Sequence, residues 1–162
     1  MSSTDAGTDT QAATPAPGTI DMKIEVVALP VSDVDRAKRF YQGLGWRLDV
    51  DFDLGGGKRV VQLTPTHSEC SIVFGTDLIT AEPGSVQRLE TVVSDIEAAR
   101  EDLISRGVEV SEPFHSGPDG SGPGLDPERR PYQSYATFKD PDGNEFLLQE
   151  VTTRLPGRVW ED

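Results

Sequence analysis

Cysteine, histidine and basic residues are scarce in this chain of 162 residues. The single cysteine, Cys70, cannot form a disulfide within the chain, so a reducing, cytoplasmic setting is predicted. Lys and Arg number 15 against 28 Asp and Glu, which gives a formal net charge of −13 and an isoelectric point near 4.5. Nucleic acids and anionic membranes bind clustered positive charge, so neither is an expected partner, whereas a cationic small molecule is compatible with this charge.

Large apolar side chains are nearly absent from residues 1–20, which are mainly Ser, Thr, Ala, Gly, Pro and Asp. Such a segment buries too little apolar surface to offset the entropy of ordering, so a disordered tail is predicted there. No secretory signal is visible, and no apolar run is long enough to cross a bilayer. The remaining length suits one domain, predicted at residues 21–152, followed by a C-terminal tail at 153–162.

An internal repeat sets the architecture of that domain. The sequence VSDVDRAKRFYQGLG at 31–45 aligns without a gap on VSDIEAAREDLISRG at 93–107. Each copy begins with Ser-Asp, a typical helix N-cap, carries apolar residues at helical spacing, and ends in a C-cap glycine. Two helices that lie on a sheet are therefore predicted, one in each of two modules at about 23–75 and 86–151.

Extended runs surround both helices, so each module is predicted to read strand, helix, strand, strand, strand. The predicted strands are 23–31, 46–52, 59–64 and 70–74 in the first module and 87–93, 108–110, 134–138 and 145–151 in the second. A tight turn is predicted at DPDGN, residues 140–144. The Gly- and Pro-rich segment 114–132 is longer than most loops, and two interpretations stay open for it: a lid over a site, or a flexible insertion.

This pattern resembles the vicinal oxygen chelate superfamily, the group of glyoxalase I, bleomycin-resistance proteins, extradiol dioxygenases and fosfomycin-resistance enzymes. The resemblance covers about residues 23–151 and rests on the two V-S-D helix starts and on DPDGN followed by a strand. It implies an α+β fold in which tandem βαβββ modules form a curved mixed sheet around a concave cup that holds the ligand. It also implies a homodimer and, in many members, a divalent metal bound in the cup by His, Glu or Gln.

The residues at the positions where relatives hold that metal are unsuited to it in this sequence. The resemblance places those positions at Val26, Val73, Arg88 and Leu147. All four side chains are apolar or cationic, whereas a divalent ion needs at least three converging histidine, carboxylate or carbonyl donors. No metal cofactor is therefore predicted.

A metal site stays open as an alternative. The two histidines, His67 and His115, are expected in loops and away from the cup. An error of one residue in the strand register would exchange the two faces of a strand and bring Glu25 or Gln87 into the cup. Zn, Ni, Mn or Fe would then be the candidate ions.

Strand alternation independently predicts which polar side chains face the cup. Successive residues of a strand point to opposite faces of the sheet, and apolar residues such as Leu89, Phe146 and Leu148 are assigned to the helix side. The predicted ligand-binding residues on the opposite face are Arg88, Glu90, Glu145 and Gln149. Arg130 and Tyr132, at the end of the long segment, are added as groups that close over a ligand. The alternative is a wet sheet face with a surface ion-pair cluster of little energetic value.

Three functions are compatible with these observations. The favoured one is a metal-independent small-molecule-binding protein of the glyoxalase/bleomycin-resistance type, with its ligand in the cup. The second is a divalent-metal-dependent lyase or dioxygenase-like enzyme of the same superfamily. The third is a scaffold or regulatory dimer with an empty cup. No catalytic residue is assigned.

Overall fold

The computed structural model describes residues 16–156 and 158, which fold into two sheets, each with one helix against it. The first module contains β1 (Val26–Ala28), α1 (Val34–Gly43), β2 (Arg47–Gly55), β3 (Lys58–Thr64) and β4 (Ser71–Gly75). The second contains β5 (Leu89–Val93), α2 (Ile96–Ser105), β6 (Phe114–Gly117), β7 (Gly120–Pro123), β8 (Ser134–Lys139) and β9 (Glu145–Glu150). Of the predicted tails, residues 1–15, 157 and 159–162 lie outside those described.

Each module pairs its first strand with its last strand in parallel. The strand order is β1-β4-β3-β2 in the first sheet and β5-β9-β8-β6-β7 in the second, and all other pairs are antiparallel. The predicted α+β fold of tandem βαβββ modules is confirmed. Its first strands, β1 and β5, both lie at the edge of a sheet. In the described part of the chain, neither helix is long and apolar enough to cross a membrane.

The second module departs from the prediction between α2 and β8. Residues 108–110, predicted as a strand, contribute only an isolated bridge between Val110 and Phe138. The strand beside β8 is instead β6, which forms a hairpin with β7 and takes up the first half of segment 114–132. This hairpin is rich in Gly and Ser, so it lacks the alternation of apolar and polar residues by which a strand is recognised in sequence.

Both helices begin and end where the repeat predicts. The carboxylates of Asp33 and Asp95 accept hydrogen bonds from the backbone N–H groups of Arg36 at 3.0 Å and Ala98 at 3.1 Å. After each helix a glycine adopts a positive φ, 82° at Gly45 and 86° at Gly107. Glycine adopts this left-handed conformation without steric cost, so the chain turns sharply toward the next segment.

The apolar core joins the two modules. Tyr41 of α1 is fully buried, and its ring lies 5.7 Å from Phe74 of the first sheet and 6.0 Å from Phe146 of the second. Phe146 stacks on Phe138 with ring centroids 4.9 Å apart. The helix-side residues of both sheets therefore share one core, and the other face of each sheet is turned away from it.

The DPDGN turn between β8 and β9 is held by the carboxylate of Asp140. This carboxylate accepts hydrogen bonds from the backbone N–H groups of Asp142 and Gly143 at 3.0 Å and of Asn144 at 2.9 Å. It also accepts one from the Tyr41 hydroxyl at 2.7 Å. Burial, and then the negative charge of Asp140, raise the pKa of Tyr41 far above its ordinary value, so the hydroxyl stays a donor.

The same turn reaches the first module through two further side chains. The Asn144 amide donates to the carbonyl of Pro30 at 2.9 Å. The Asp142 carboxylate accepts from the backbone N–H of Ser32 at 3.2 Å and pairs with Arg36 at 3.1 Å. The last hairpin of the chain is therefore the main polar connection between the modules.

Candidate functional site

The face of the second sheet that points away from the helix carries three of the six predicted ligand-binding residues, Glu90, Glu145 and Gln149. We call it the open face, and it comprises Glu90, Val92, Phe114, Tyr135, Thr137, Glu145, Leu147 and Gln149. Strand register places Glu90 beside Leu147, and Gln149 between Val92 and Tyr135. The opposite face carries Phe146 and Leu148, which are buried in the core, so the alternation predicted from sequence holds.

Arg88 stands at the rim of this face. It immediately precedes β5 and has a left-handed backbone, with φ of 59°. Its guanidinium donates to the Glu90 carboxylate at 3.2 Å, and both side chains are exposed. An ion pair of this kind contributes at most about 1 kcal/mol to stability. Arg88 and Glu90, both predicted as ligand-binding residues, thus pair with each other and remain exposed.

Gln149 is the most firmly oriented polar side chain on the open face. Its amide nitrogen donates to the Tyr132 carbonyl at 3.1 Å and to the Tyr135 hydroxyl at 3.2 Å. The Tyr135 hydroxyl in turn donates to the same carbonyl at 2.7 Å. A carbonyl can only accept, so these contacts fix which end of the Gln149 amide carries the nitrogen. The amide oxygen is the acceptor end of this half-buried side chain.

Two aromatic residues of the open face were missed by the sequence reasoning. The rings of Phe114 and Tyr135 stack with centroids 5.6 Å apart and planes 18° from parallel. Their contact depends on the pairing of β6 with β8, and β6 was predicted as part of a loop. Of these two residues, only Tyr135 could have been predicted from sequence. It lies in the predicted strand 134–138, and pairing of that strand with the last one places it on the same face as Gln149.

Arg130 and Tyr132, the other two predicted ligand-binding residues, occupy different positions. The Arg130 guanidinium pairs with Asp126 at 2.8 Å and with Asp119 at 2.5 Å, so it is engaged by carboxylates of its own loop. Tyr132 has φ of 69° and reaches the open face through its carbonyl, which holds Gln149. Tyr132 therefore reaches the site through its backbone carbonyl. Arg130 instead forms ion pairs with Asp119 and Asp126.

The ion pair of Asp126 with Arg130 should make the stability of the fold depend on pH. Its side chain is buried, and hydrogen bonds from Arg130 hold its pKa at about 2. An unfolded Asp has a pKa of about 3.9, so this carboxylate stabilises the fold above about pH 4 and the stabilisation is lost as the pH falls through about 2. Urea unfolding between pH 4 and 2 should therefore show a shallower loss of stability for Asp126→Asn than for the parent. The exposed Asp119→Asn should follow the parent, and an unchanged slope for Asp126→Asn would contradict this assignment.

A second buried ion pair, also missed, lies behind the open face. Glu150 is 1% exposed and accepts from Arg129 at 3.0 and 2.7 Å and from the backbone N–H of Ile96 at 2.9 Å. The hydrogen bonds from Arg129 lower the pKa of Glu150, and burial opposes them. The burial of Glu150 could have been predicted from sequence. Glu150 is two and four residues after Leu148 and Phe146, so it points to the same, buried side of the strand, and a buried carboxylate needs a partner.

A cavity of about 640 Å³ lies along the free edge of β5 between the two modules. We call it the intermodule groove; its floor includes Val27, Trp46, Leu89 and Phe146, and its mouth includes His67 and Arg154. Glu90 and Val92 border it, whereas Gln149 and Glu145 do not. The groove and the open face therefore meet only along β5. Cys70 also lines the groove, and burial raises the pKa of its thiol, which keeps it a weak nucleophile.

The donor set at the positions implied for a metal does not fit a divalent ion. Val73 lies beside Ala28 on the first sheet, and Leu147 lies beside Glu90 on the second. Glu90 therefore has Arg88 and Leu147 as neighbours, and neither of them is a metal ligand. Among residues 16–156 and 158, no group of three or more His, Cys, Asp or Glu side chains is placed to hold a metal.

The two histidines belong to different modules. His67 lies in the exposed turn after β3 with φ of 63°. His115 lies on β6, where a loop was expected, and its Nδ1 is 2.9 Å from the Gly124 carbonyl. Neither histidine supplements the donors of the open face.

Comparison with solved structures finds the same fold in bacterial proteins. TnmS3, an antibiotic binding protein from Streptomyces sp. CB03234, is 29% identical, with a TM-score of 0.63 over 83% of this chain and 99% of that one. A glyoxalase/bleomycin resistance protein from the same organism is 31% identical, with a TM-score of 0.58 over 77% and 97% of the two chains. The uncharacterized protein YetH of Bacillus subtilis (strain 168) is 26% identical over 79% of this chain and 98% of its own.

The sequence model of one family covers almost the entire described fold. It matches residues 23–148, from just before β1 to within β9. The first module, both helices and the second module as far as Leu148 fall inside this match. The chain belongs to the Glyoxalase/Bleomycin resistance protein/Dioxygenase superfamily.

Proposed function

We propose that this protein is a metal-independent binding protein for a small organic molecule, which it holds on the open face as a cytoplasmic homodimer. The observation that carries the proposal is the fixed Gln149 amide, whose nitrogen is held by the Tyr132 carbonyl and by the hydroxyl of Tyr135, one of the two stacked rings of the open face. A polar group held in one orientation on an apolar wall is how ligand sites commonly gain specificity. The similarity to an antibiotic binding protein at 29% identity supports the same class of function.

The chemistry of the open face favours ligands that donate hydrogen bonds. Val92, Leu147 and the two stacked rings offer an apolar surface, and the Gln149 oxygen and the Glu90 and Glu145 carboxylates offer acceptors. A hydroxyl or a protonated amine satisfies such acceptors, and charge-assisted hydrogen bonds are the stronger kind. The net charge of −13 adds a general attraction for cations. We therefore place hydroxylated or cationic antibiotics of moderate size at the head of the candidates.

The enzyme alternative is not the one we propose. A lyase or dioxygenase of this superfamily that acts through a divalent metal needs donors at the positions that the resemblance implies, and in this chain Val26, Val73, Arg88 and Leu147 occupy them. Metal content of the purified chain, measured by mass spectrometry after expression with nickel, zinc, manganese and iron present, tests this directly. A near-stoichiometric ion would overturn the metal-independent assignment.

Ligand binding should depend on the two carboxylates of the open face. A thermal-shift screen of antibiotics, bleomycin included, on metal-free protein identifies a ligand, and titration calorimetry then gives its dissociation constant. We expect the Glu90→Gln/Glu145→Gln variant to bind at least about tenfold more weakly, because two charge-assisted contacts are lost.

A matched control separates this effect from the loss of negative charge alone. Glu101→Gln/Glu109→Gln removes the same charge from exposed residues on and after α2, and it should bind as the parent does. Unchanged binding by the Glu90→Gln/Glu145→Gln variant would remove both carboxylates from the site. A screen in which no compound stabilises the protein would overturn the proposed function itself.

A further inference from the structure

The final part of the long segment between α2 and β8 is attached to the end of β9. We call residues 126–132, DPERRPY, the strap. Its last residue, Tyr132, donates its backbone N–H to the Glu150 carbonyl at 2.8 Å. Glu150 is the last residue of β9 and directly follows Gln149. The strap is therefore bound to the strand that carries the most firmly oriented side chain of the open face.

Arg129 attaches the strap to the same residue a second time. Its guanidinium donates to the Glu150 carboxylate at 3.0 and 2.7 Å, and this carboxylate is buried on the core side of β9. The Gln149 side chain points to the other side of the strand, where it donates to the Tyr132 carbonyl at 3.1 Å. The strap thus contacts side chains on both faces at the end of β9.

Two residues of the strap have a backbone conformation that non-glycine residues rarely adopt. Arg129 has φ of 51° and Tyr132 has φ of 69°. A left-handed backbone is disfavoured in residues with a side chain, and it persists where surrounding contacts hold it. A change of either φ would move the Tyr132 carbonyl relative to Gln149. The orientation of the amide therefore depends on the contacts that hold these two residues.

Both groups that hold the Gln149 amide nitrogen depend on the Tyr132 carbonyl. The Tyr135 hydroxyl has a single hydrogen, which it donates to this carbonyl at 2.7 Å. Its oxygen then accepts from the Gln149 amide at 3.2 Å. If the carbonyl moved away, the hydroxyl could donate to the amide oxygen instead, and the amide could turn over. The strap thus determines which end of the amide faces Tyr135.

We propose that Arg129 is a positioning residue of the small-molecule site. Through its ion pair with Glu150 it holds the strap in the conformation that aims the Tyr132 carbonyl at Gln149. The amide then turns its oxygen away from that carbonyl, so the site presents an acceptor and selects molecules that donate a hydrogen bond. The inference rests on the binding function proposed above and assigns a residue that determines its selectivity.

The orientation of the amide can be measured by NMR in protein without any added compound. The two side-chain amide protons of Gln149, assigned by their loss in Gln149→Glu, should exchange with water at least about tenfold more slowly than those of the exposed Gln87, because the Gln149 nitrogen has two hydrogen-bond acceptors. In Arg129→Met we expect this protection to fall at least about fivefold. Arg106→Met removes an arginine at the C-terminal end of α2 and should leave the protection unchanged.

A double variant separates positioning from stability. Arg129→Met/Glu150→Gln leaves no buried charge at this position, so its stability to urea should exceed that of Arg129→Met, whereas its Gln149 amide should stay as weakly protected as in that variant. Arg129→Lys keeps a positive charge near Glu150 and should restore part of the protection. Protection equal to that of the parent, in either Arg129→Met or the double variant, would overturn the proposal.

Selectivity is tested with two small probes, phenol and its methyl ether, anisole. Phenol donates a hydrogen bond and anisole does not. Dissociation constants from the backbone resonances of Val92 and Tyr135 should favour phenol at least about fivefold in the parent, and the preference should fall toward one in the double variant. The same preference in both proteins would overturn the assignment of Arg129. If the Gln149 amide behaves as expected but neither probe binds the parent, the result counts against the proposed binding function and leaves the role of Arg129 in orienting Gln149 in place.

Discussion

Replacing Asp140 with alanine should lower the free energy of unfolding by about 4 kcal/mol. The Asp140 carboxylate is 5% exposed and accepts from three backbone N–H groups of its turn and from the Tyr41 hydroxyl. Each buried donor left without an acceptor costs about 1–3 kcal/mol, and water entering the cavity recovers part of that sum. The turn would lose its internal support, and the contact with α1 would be lost with it.

Urea unfolding followed by tryptophan fluorescence measures this loss. Asp140→Asn keeps one acceptor oxygen but presents an N–H₂ group to the remaining donors. We therefore expect its free energy of unfolding to lie between those of the parent and of Asp140→Ala. Asp102→Ala removes an exposed carboxylate from α2 that pairs with Arg106, and it should change stability by less than about 0.5 kcal/mol. A loss below about 1 kcal/mol for Asp140→Ala would show that the hydrogen bonds to the Asp140 carboxylate contribute little to stability.

Arg129→Met should destabilise the fold by about 3 kcal/mol at neutral pH. The substitution leaves the Glu150 carboxylate, 1% exposed, with the Ile96 N–H as its remaining side-chain hydrogen bond. Removing one partner of a buried pair typically costs 3–5 kcal/mol, and the lower end applies because Arg129 is itself 41% exposed. The exposed pair Arg88–Glu90 provides the control, and Arg88→Met should cost less than about 1 kcal/mol.

The pH dependence of the stability lost in Arg129→Met identifies the cause of that loss. Arg129 lowers the folded-state pKa of Glu150, so the pair stabilises the parent above the unfolded pKa of about 4.3 and this stabilisation is lost as the pH falls further. The difference between parent and variant should therefore shrink below about pH 4. Arg129→Met/Glu150→Gln should recover much of the loss at neutral pH, because no buried charge remains. A deficit that is constant with pH would point to lost packing of the arginine instead.

The repeated elements of the fold were predictable because their signals are local. Helix caps at Asp33 and Asp95 depend on residues three positions away, and the glycines that end each helix follow directly after it. Strand parity is also local, which is why Glu90 and Gln149 were assigned to the correct face of the sheet. These features need no knowledge of which strands are neighbours.

The features that the sequence reasoning missed depend on strand neighbours. Phe114 meets Tyr135 only through the pairing of β6 with β8, and the strands of the β6–β7 hairpin are short, polar and rich in glycine. Arg130 was expected to close over a ligand because it stands beside Tyr132 at the end of segment 114–132. It is instead paired with Asp119 and Asp126 of that segment, where no periodicity predicts side-chain direction. The positive φ of Arg129 and Tyr132 likewise has no counterpart in the sequence pattern.

The DPDGN turn also sets the order in which the protein can fold. Its bonds to the first module, made by Asp140, Asp142 and Asn144, span sequence separations of 99 to 114 residues. Contacts between such distant residues require closure of a long loop and therefore form late and slowly. During synthesis the first βαβββ unit is complete long before residue 140 leaves the ribosome, so Tyr41 and the start of α1 remain without their acceptors. Nascent chains stalled before this turn should be open to protease at α1, and chains stalled after it should be resistant.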